Sequence, residues 1–305
     1  MKAAVQEKIP SKKLDLLKQL SPVQIFLNDH KNLRNYMKTL SVEKQIIYLS
    51  LIALNQLHIF QNFNSQKKEK IDLFENHLLA VENFYREIGG ILGYQNILNH
   101  IISDNFFDKK FHLSEPFFYD IRENSEKIEK YIEKAVDTLP QFAAVFPVGG
   151  SGDRLNLTDP QTNSPLPAAK LQFLSHNLLE HLIHDLKAME YLYYKKHKKQ
   201  ILVPIVLMSS EAKNNHQHIL AILEKNDWFS RPKENFFIFQ QISVPMVSKS
   251  GEWMISSFFD PILKPGGHGA IWKLMKQNSV FSKLKALKKT KVFLASEQGF
   301  PYDAE

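Results

Sequence analysis

The segment Ala143–Lys170, AAVFPVGGSGDRLNLTDPQTNSPLPAAK, sets the fold class of the chain. Phe142 to Val148 is a continuous apolar run, the pattern of a strand buried on both faces of a parallel sheet. Paired glycines follow it at once. Gly149, Gly150 and Gly152 allow positive φ and bring backbone N–H groups close to an anion, because no Cβ stands in the way. Arg154 and Lys170 add fixed positive charge, and the combination suits a polyphosphate. Alone, Gly-Gly-Ser-Gly is equally a connecting turn. It is neither a Walker A loop, lacking Gly-Lys-Ser/Thr, nor a dinucleotide fingerprint, whose glycine spacing differs.

Beyond this loop the chain alternates. Asn177 to Lys199 is an amphipathic helix with Leu178, Leu179, Leu182, Ile183, Leu186, Met189 and Tyr193 on its buried side. Ile201 to Met208 is a second buried strand, in which Pro204 marks a bulge or a position that is not fully central. Ser209 and Ser210 are positioned to cap a helix over Glu211 to Lys225, where His216 and His218 fall on different sides. Phe236 to Gln241 is a third strand. Val247 to Phe259 is expected to project from the sheet edge as a hairpin. A second glycine cluster, Lys264-Pro265-Gly266-Gly267-His268-Gly269, then opens a helix from Ala270 to about Leu287. This is an α/β succession whose ligands sit at the carboxyl ends of strands, so the glycine clusters are expected to face one crevice.

Upstream, Lys13 to about Val136 reads as helices, with apolar faces over Val42 to Phe63, Ile71 to Ile88 and Ile121 to Val136. Phe106, Phe107, Phe111, Phe117 and Phe118 gather around Pro116 as packing residues. Gly89, Gly90 and Gly93 lie in IGGILGY, where Gly89-Gly90 reads as the end of one helix and not as a phosphate loop. The expected division is a helical accessory domain over 1–137 and a nucleotide-binding domain over 138–305.

Composition narrows the classes. With 305 residues, 44% hydrophobic and 23% charged, the chain can bury a full core. The net charge of +7 lies on dispersed lysines of helical faces and does not predict nucleic-acid binding. There is no cysteine, so a metal would need oxygen or imidazole ligands. No apolar run approaches the ~20 residues of a membrane span, and the first residues lack a signal h-region. A cytoplasmic protein without membrane contact is the expectation.

Taken together, Gly149-Gly150-x-Gly152-x-Arg154 with Lys170, Phe239-Gln240-Gln241 with Pro245, and Pro265-Gly266-Gly267-His268-Gly269 resemble the UDP-glucose pyrophosphorylase family of uridylyltransferases. DPQTNSPLPAA, SSEAKNNHQHI and PGGHGAIWKL are similar in wording to its plastid-type branch. The resemblance covers roughly residues 140 to 290. It implies a nucleotide-diphospho-sugar transferase (Rossmann-like) sheet with an N-terminal helical layer, and the conversion of UTP and glucose 1-phosphate to UDP-glucose and pyrophosphate. It further implies that Gly149, Gly150, Gly152 and Arg154 cradle the triphosphate and that Lys170 offsets its charge. Gln240 or Gln241 would read uracil through an amide that both donates and accepts. Gly266, Gly267 and Gly269 would lie against base and ribose, with His268 on the nucleotide or sugar phosphate.

Magnesium is the cofactor the family implies. The aspartate expected to hold it has no match in this chain, so the metal ligand is not identified, with Glu297 a candidate substitute oxygen ligand. The sheet therefore reads as incomplete on its C-terminal side, which leaves as alternatives a truncated UTP-binding remnant or a half-enzyme completed by a second chain.

Overall fold

The structure is a computed structural model that describes residues 2–103, 126–295 and 301–302. The five phenylalanines around Pro116 and the candidate ligand Glu297 lie outside the described residues. Two compact units are present, Met1–His112 with Val244–Lys264, and Leu113–Ser243 with Pro265–Glu305.

The first unit carries helices α1 (Lys2–Gln19), α2 (Ser21–Asp29), α3 (Lys31–Met37), α4 (Val42–Ala53), α5 (Lys68–Phe84) and α6 (Ile91–Ser103). Helix α4 stops earlier than its apolar pattern suggests. Asn55 takes a left-handed φ of 58° and the chain continues in 3₁₀ turns. Gly89 and Gly90, with φ of 105° and 70°, connect to α6, the left-handed geometry for which glycine is suited. The polar centre of this unit is Glu75, fully buried. Its Oε1 accepts hydrogen bonds from Tyr36 (2.8 Å) and Tyr48 (2.9 Å), and Lys44 Nζ lies 2.8 Å from Oε2. Burial and the neighbouring carboxylate both push the two phenols up from their ordinary value.

In the second unit α7 (Glu126–Thr138) leads into β1 (Phe142–Phe146), followed by the short strands β2 (Gln172–Phe173) and β3 (His176–Asn177). Then come α8 (Leu178–His197), β4 (Ile205–Ser209), α9 (Asn215–Lys225) and β5 (Phe236–Gln240). The chain next runs through β6 (Ser243–Pro245) and then, within the Val244–Lys264 segment of the first unit, β7 (Ile255–Ser257) and β8 (Asp260–Pro261), followed by β9 (Leu263–Pro265). Helices α10 (Ala270–Gln277) and α11 (Val280–Ala286) and strands β10 (Lys291–Ala295) and β11 (Pro301–Tyr302) complete the described chain. The main sheet has the order β11-β10-β1-β4-β5, parallel except for β11.

The strands of this sheet are where the apolar runs place them. Every residue of β4 and the last four of β1 are buried, as two covered faces require. Pro204 leaves β4 paired on both sides, between the middle strand β1 and the edge strand β5. It precedes the first paired residue, and its carbonyl accepts the Ala144 N–H at 2.8 Å. Helix α8 begins with a reciprocal capping box between Asn177 and Glu180. Leu179, Ile183 and Leu186 from α8 and Ile219 and Leu223 from α9 share one core with Ala144, Phe146, Ile205 and Leu207.

Three expectations are corrected. Ser209 and Ser210 do not cap the next helix. Lys213 and Asn214 adopt φ of 51° and 52°, so α9 starts only at Asn215, and the Ser210 hydroxyl is buried without a partner among the described residues. The helix after the second glycine cluster is two helices, broken at Ser279 (φ 57°). Residues 247–259 do not project from a sheet edge but pack within the helical unit. Trp253 there is 1% exposed, its indole Nε1 donates to Gln95 Oε1 at 2.7 Å, and Phe259 packs against Phe60, Phe63 and Phe74.

Candidate functional site

Strand β1 delivers Gly149 to the carboxyl end of the sheet, against two other strand ends. Gln241, just past β5, donates from Nε2 to the Gly149 carbonyl at 2.9 Å, and its own N–H bonds the Ser209 carbonyl at 2.8 Å. A Cβ on Gly149 would collide with Gln241 Nε2 and stand 2.9 Å from the carbonyl carbon and oxygen of Ser209. Glycine is thus required here by space. Gly152 needs it for conformation, with φ of 62°, and its Cβ would press on the Ala168 nitrogen at 3.0 Å. The Gly150 carbonyl accepts the Ala168 N–H at 3.4 Å, which folds PLPAAK back over the loop.

The end of β4 fixes the loop from below. Asn215, fully buried, donates from Nδ2 to the Val148 carbonyl (2.8 Å) and accepts the Ser210 N–H on Oδ1 (2.9 Å). Lys213 reaches across it. Its Nζ donates to the Ser151 carbonyl at 2.7 Å and lies 2.9 Å from Asp153 Oδ1, while Ser151 Oγ donates to Asp153 Oδ2 at 2.6 Å. The Ser151 hydrogen bond, followed by that of Lys213, holds the Asp153 carboxyl below its ordinary value.

Lys213, Asn215 and Asp153 were not among the sequence-derived candidates for a ligand role. The signal was present in Lys213-Asn214-Asn215 directly after a buried strand, since Asn accepts left-handed backbone and its amide can bond both neighbours.

The two cations expected at the loop differ in setting. Arg154 is exposed, in a short turn spanning Asp153–Leu155, and makes no hydrogen bond or ion pair with the described residues. Lys170 is half-buried in the turn Ala168–Lys170. It acts on two neighbours. The His218 imidazole is pushed below its ordinary value by burial first and by Lys170 second, and Lys170 helps to lower the Asp159 carboxyl.

The second glycine cluster is tied to the same strand end. Ile242, the residue after Gln241, accepts the Gly266 N–H at 2.8 Å, and a Cβ on Gly266 would stand 2.9 Å from that carbonyl. Gly267 has φ of 96° with open space around it, as has Gly269. His268 is exposed between them, and the carbonyls of Gly267 and His268 accept from Ala270 and Ile271 at the start of α10. Consecutive residues Gln241 and Ile242 therefore hold one glycine cluster each. Gln240 is exposed, whereas Gln241 is 3% exposed and its Oε1 is buried with no partner among the described residues.

For magnesium the described residues supply no ready ligand set, since no group of three or more His, Asp or Glu is placed to hold a metal ion. Asp153, the carboxylate at the loop, is already engaged by Lys213 and Ser151. Among the described residues no helix is long and apolar enough to cross a membrane.

A parallel sheet with glycine loops at its carboxyl end defines a nucleotide-diphospho-sugar transferase fold. That fold recurs in the UDP-N-acetylglucosamine pyrophosphorylase of Trypanosoma brucei, at 19% identity, a TM-score of 0.59 and coverage of 85% of this chain and 51% of that one. The sequence pattern of the UTP–glucose-1-phosphate uridylyltransferase family matches residues 120–298, and the chain belongs to that family. It is also 36% identical over 225 residues to UTP–glucose-1-phosphate uridylyltransferase 3, chloroplastic, of Arabidopsis thaliana. That match takes in 68% of this chain and 26% of the Arabidopsis protein, so the chain spans about a quarter of that relative's length.

Proposed function

We propose that the chain binds UTP at the carboxyl end of its sheet and transfers the uridylyl group to a sugar 1-phosphate, glucose 1-phosphate first among the candidates, releasing pyrophosphate. The observation that carries this reading is the pair Gln241–Ile242, which fastens both glycine clusters to one strand end. The Gln241 Oε1, buried and without a partner among the described residues, is an acceptor suited to the uracil N3–H, while its Nε2 stays committed to Gly149. Gly149, Gly150 and Gly152 let the backbone approach the phosphates. Gly266, Gly267 and Gly269 leave room for base and ribose, with His268 within reach of a phosphate.

The chemistry is displacement at the α-phosphorus. A sugar phosphate oxygen attacks, the bond to the β,γ-pyrophosphate breaks, and no covalent nucleophile is needed. What the protein supplies is positioning and charge. Arg154, exposed and unpaired among the described residues, is free to meet the triphosphate, and Lys170 sits on the turn folded over the loop. Lys213 is held in place by Asp153 until a stronger anion competes for it. Magnesium, when bound, would supply further charge neutralisation; no step here is routed through it.

The test is formation of UDP-glucose from UTP and glucose 1-phosphate by the purified chain, followed by chromatography, with pyrophosphate release measured in parallel. Product formation that is lost in Arg154→Ala is expected. UTP binding without turnover would assign this chain the nucleotide site alone, and absence of both would refute the reading.

A further inference from the structure

The opposite end of the sheet carries a second polar feature that the nucleotide reading does not use. Arg231 stands just before β5, and its side chain is 1% exposed. Its NH1 donates to the Val203 carbonyl and to Asn235 Oδ1, both at 3.2 Å, and its NH2 donates to Glu190 Oε2 at 2.7 Å. Its Nε is buried and has no partner among the described residues. The other oxygen of Glu190 accepts the Val203 N–H at 2.7 Å. A guanidinium N–H kept from water without an acceptor is unfavourable, and native proteins leave few such groups unpaired.

Arg231 and Glu190 line a pocket of about 410 Å³, together with Lys187, Tyr191, Tyr194 and Leu202. The apolar walls are open to solvent. Tyr191 is 60% exposed, Tyr194 46% and Leu202 38%. A further side is built from strained backbone. Asp227, Trp228, Phe229 and Ser230 are consecutive non-glycine residues with φ of 45°, 49°, 57° and 59°, and Phe229 and Ser230 line the pocket. Such strain persists only where the surroundings impose it, and it gathers at ligand sites.

The charges specify the occupant. Glu190 and Arg231 neutralise each other, so the excess charge on the lining is the positive Lys187. The free N–H asks for an acceptor oxygen, Lys187 for a negative charge, and the tyrosine walls for a flat apolar body. We infer that this pocket, at the amino-terminal ends of β4 and β5, is a binding site for a small aromatic organic anion, a carboxylate or sulfonate, separate from the glycine loops at the carboxyl ends. The inference is independent of the nucleotide assignment.

Anilinonaphthalene sulfonate is a suitable probe, with uncharged phenylnaphthylamine as its control. Fluorescence titration of the full chain is expected to show saturable one-site binding of the sulfonate and much weaker binding of the amine. Lys187→Glu and Tyr191→Ala/Tyr194→Ala change exposed side chains and leave thermal unfolding in place. Each should weaken sulfonate binding at least about tenfold. Arg231→Lys removes the free Nε donor, and loss of binding by a variant that still melts cooperatively would support its role. No saturable binding, unchanged affinity in the exposed variants, or equal affinity for the amine would each overturn the inference.

Discussion

The Gln241 side-chain nitrogen and the Gly149 carbonyl oxygen are 2.9 Å apart across 92 positions of sequence, and the same nitrogen occupies the space a Gly149 Cβ would need. The bond joins the loop after β1 to the residue after β5, with the end of β4 between them. Gly149→Ala must move Gln241 or the Ser209 peptide. It is expected to lose about 1–3 kcal/mol of stability, the usual cost of overpacking, and to weaken UTP binding in parallel. Urea unfolding read beside nucleotide titration checks both, and a stable variant with unchanged affinity would separate Gly149 from the site.

Gln241 also predicts base selectivity. Cytosine offers no N3–H to the buried Oε1, so the wild-type chain should prefer UTP to CTP. An unsatisfied buried polar group costs roughly 1–3 kcal/mol, or about 5- to 150-fold in affinity. Gln241→Ala should shrink that preference. Equal affinities for UTP and CTP in the wild type would take uracil away from Gln241.

Arg154 is exposed and unpaired with the described residues, so its removal should leave unfolding unchanged. Arg154→Ala should nevertheless weaken UTP binding by roughly 1.5–3 kcal/mol, the range for a charge-assisted hydrogen bond. Comparison of UTP with uridine locates the loss. A drop for both ligands alike would point away from the phosphates.

His218 reports on Lys170. Its folded pKa lies below the ordinary value of 6.5, through burial and then through Lys170. The sign follows from linkage. The unfolded chain binds a proton here before the folded one, so stability is complete above pH 6.5 and falls as pH drops from there through the lowered folded value. Proton NMR should show the His218 pKa rising in Lys170→Met and rising again when UTP binds. No rise in Lys170→Met would contradict the proximity of the two groups.

In the helical unit, Trp253→Phe keeps most of the buried ring but leaves Gln95 Oε1 without its 2.7 Å partner. The expected loss is about 1–3 kcal/mol. Chemical unfolding measures it, and a neutral result would mean that the amide finds another donor.

Much of the sheet is legible in the sequence because β1 and β4 are buried on both faces and the partly buried edge strand β5 is also a continuous apolar run. FAAVF, IVLMS and FFIFQ carry enough apolar length to declare themselves, and Asn177 and Glu180 announce the start of α8 by capping chemistry. Left-handed turns at ordinary residues escaped it. Lys213, Asn214 and Ser279 break helices at positions where neither glycine nor proline warns of a break. The packing of Trp253 escaped it for another reason, since its hydrogen bonds to Gln56 and Gln95 join residues more than a hundred positions apart. Of the candidate site, the glycine loop after β1 stands where local chemistry places it, at the end of a buried strand. Lys213 and Asn215 were not legible, because their roles depend on how the end of β4 meets the β1 loop.

The central claim is that the glycine loops joined through Gln241 and Ile242 form a UTP site. Calorimetric titration of the chain with UTP tests it most directly. The account predicts saturable binding at one site, weakened in Arg154→Ala and in Gly149→Ala. An absence of binding at millimolar UTP by a folded chain would contradict it.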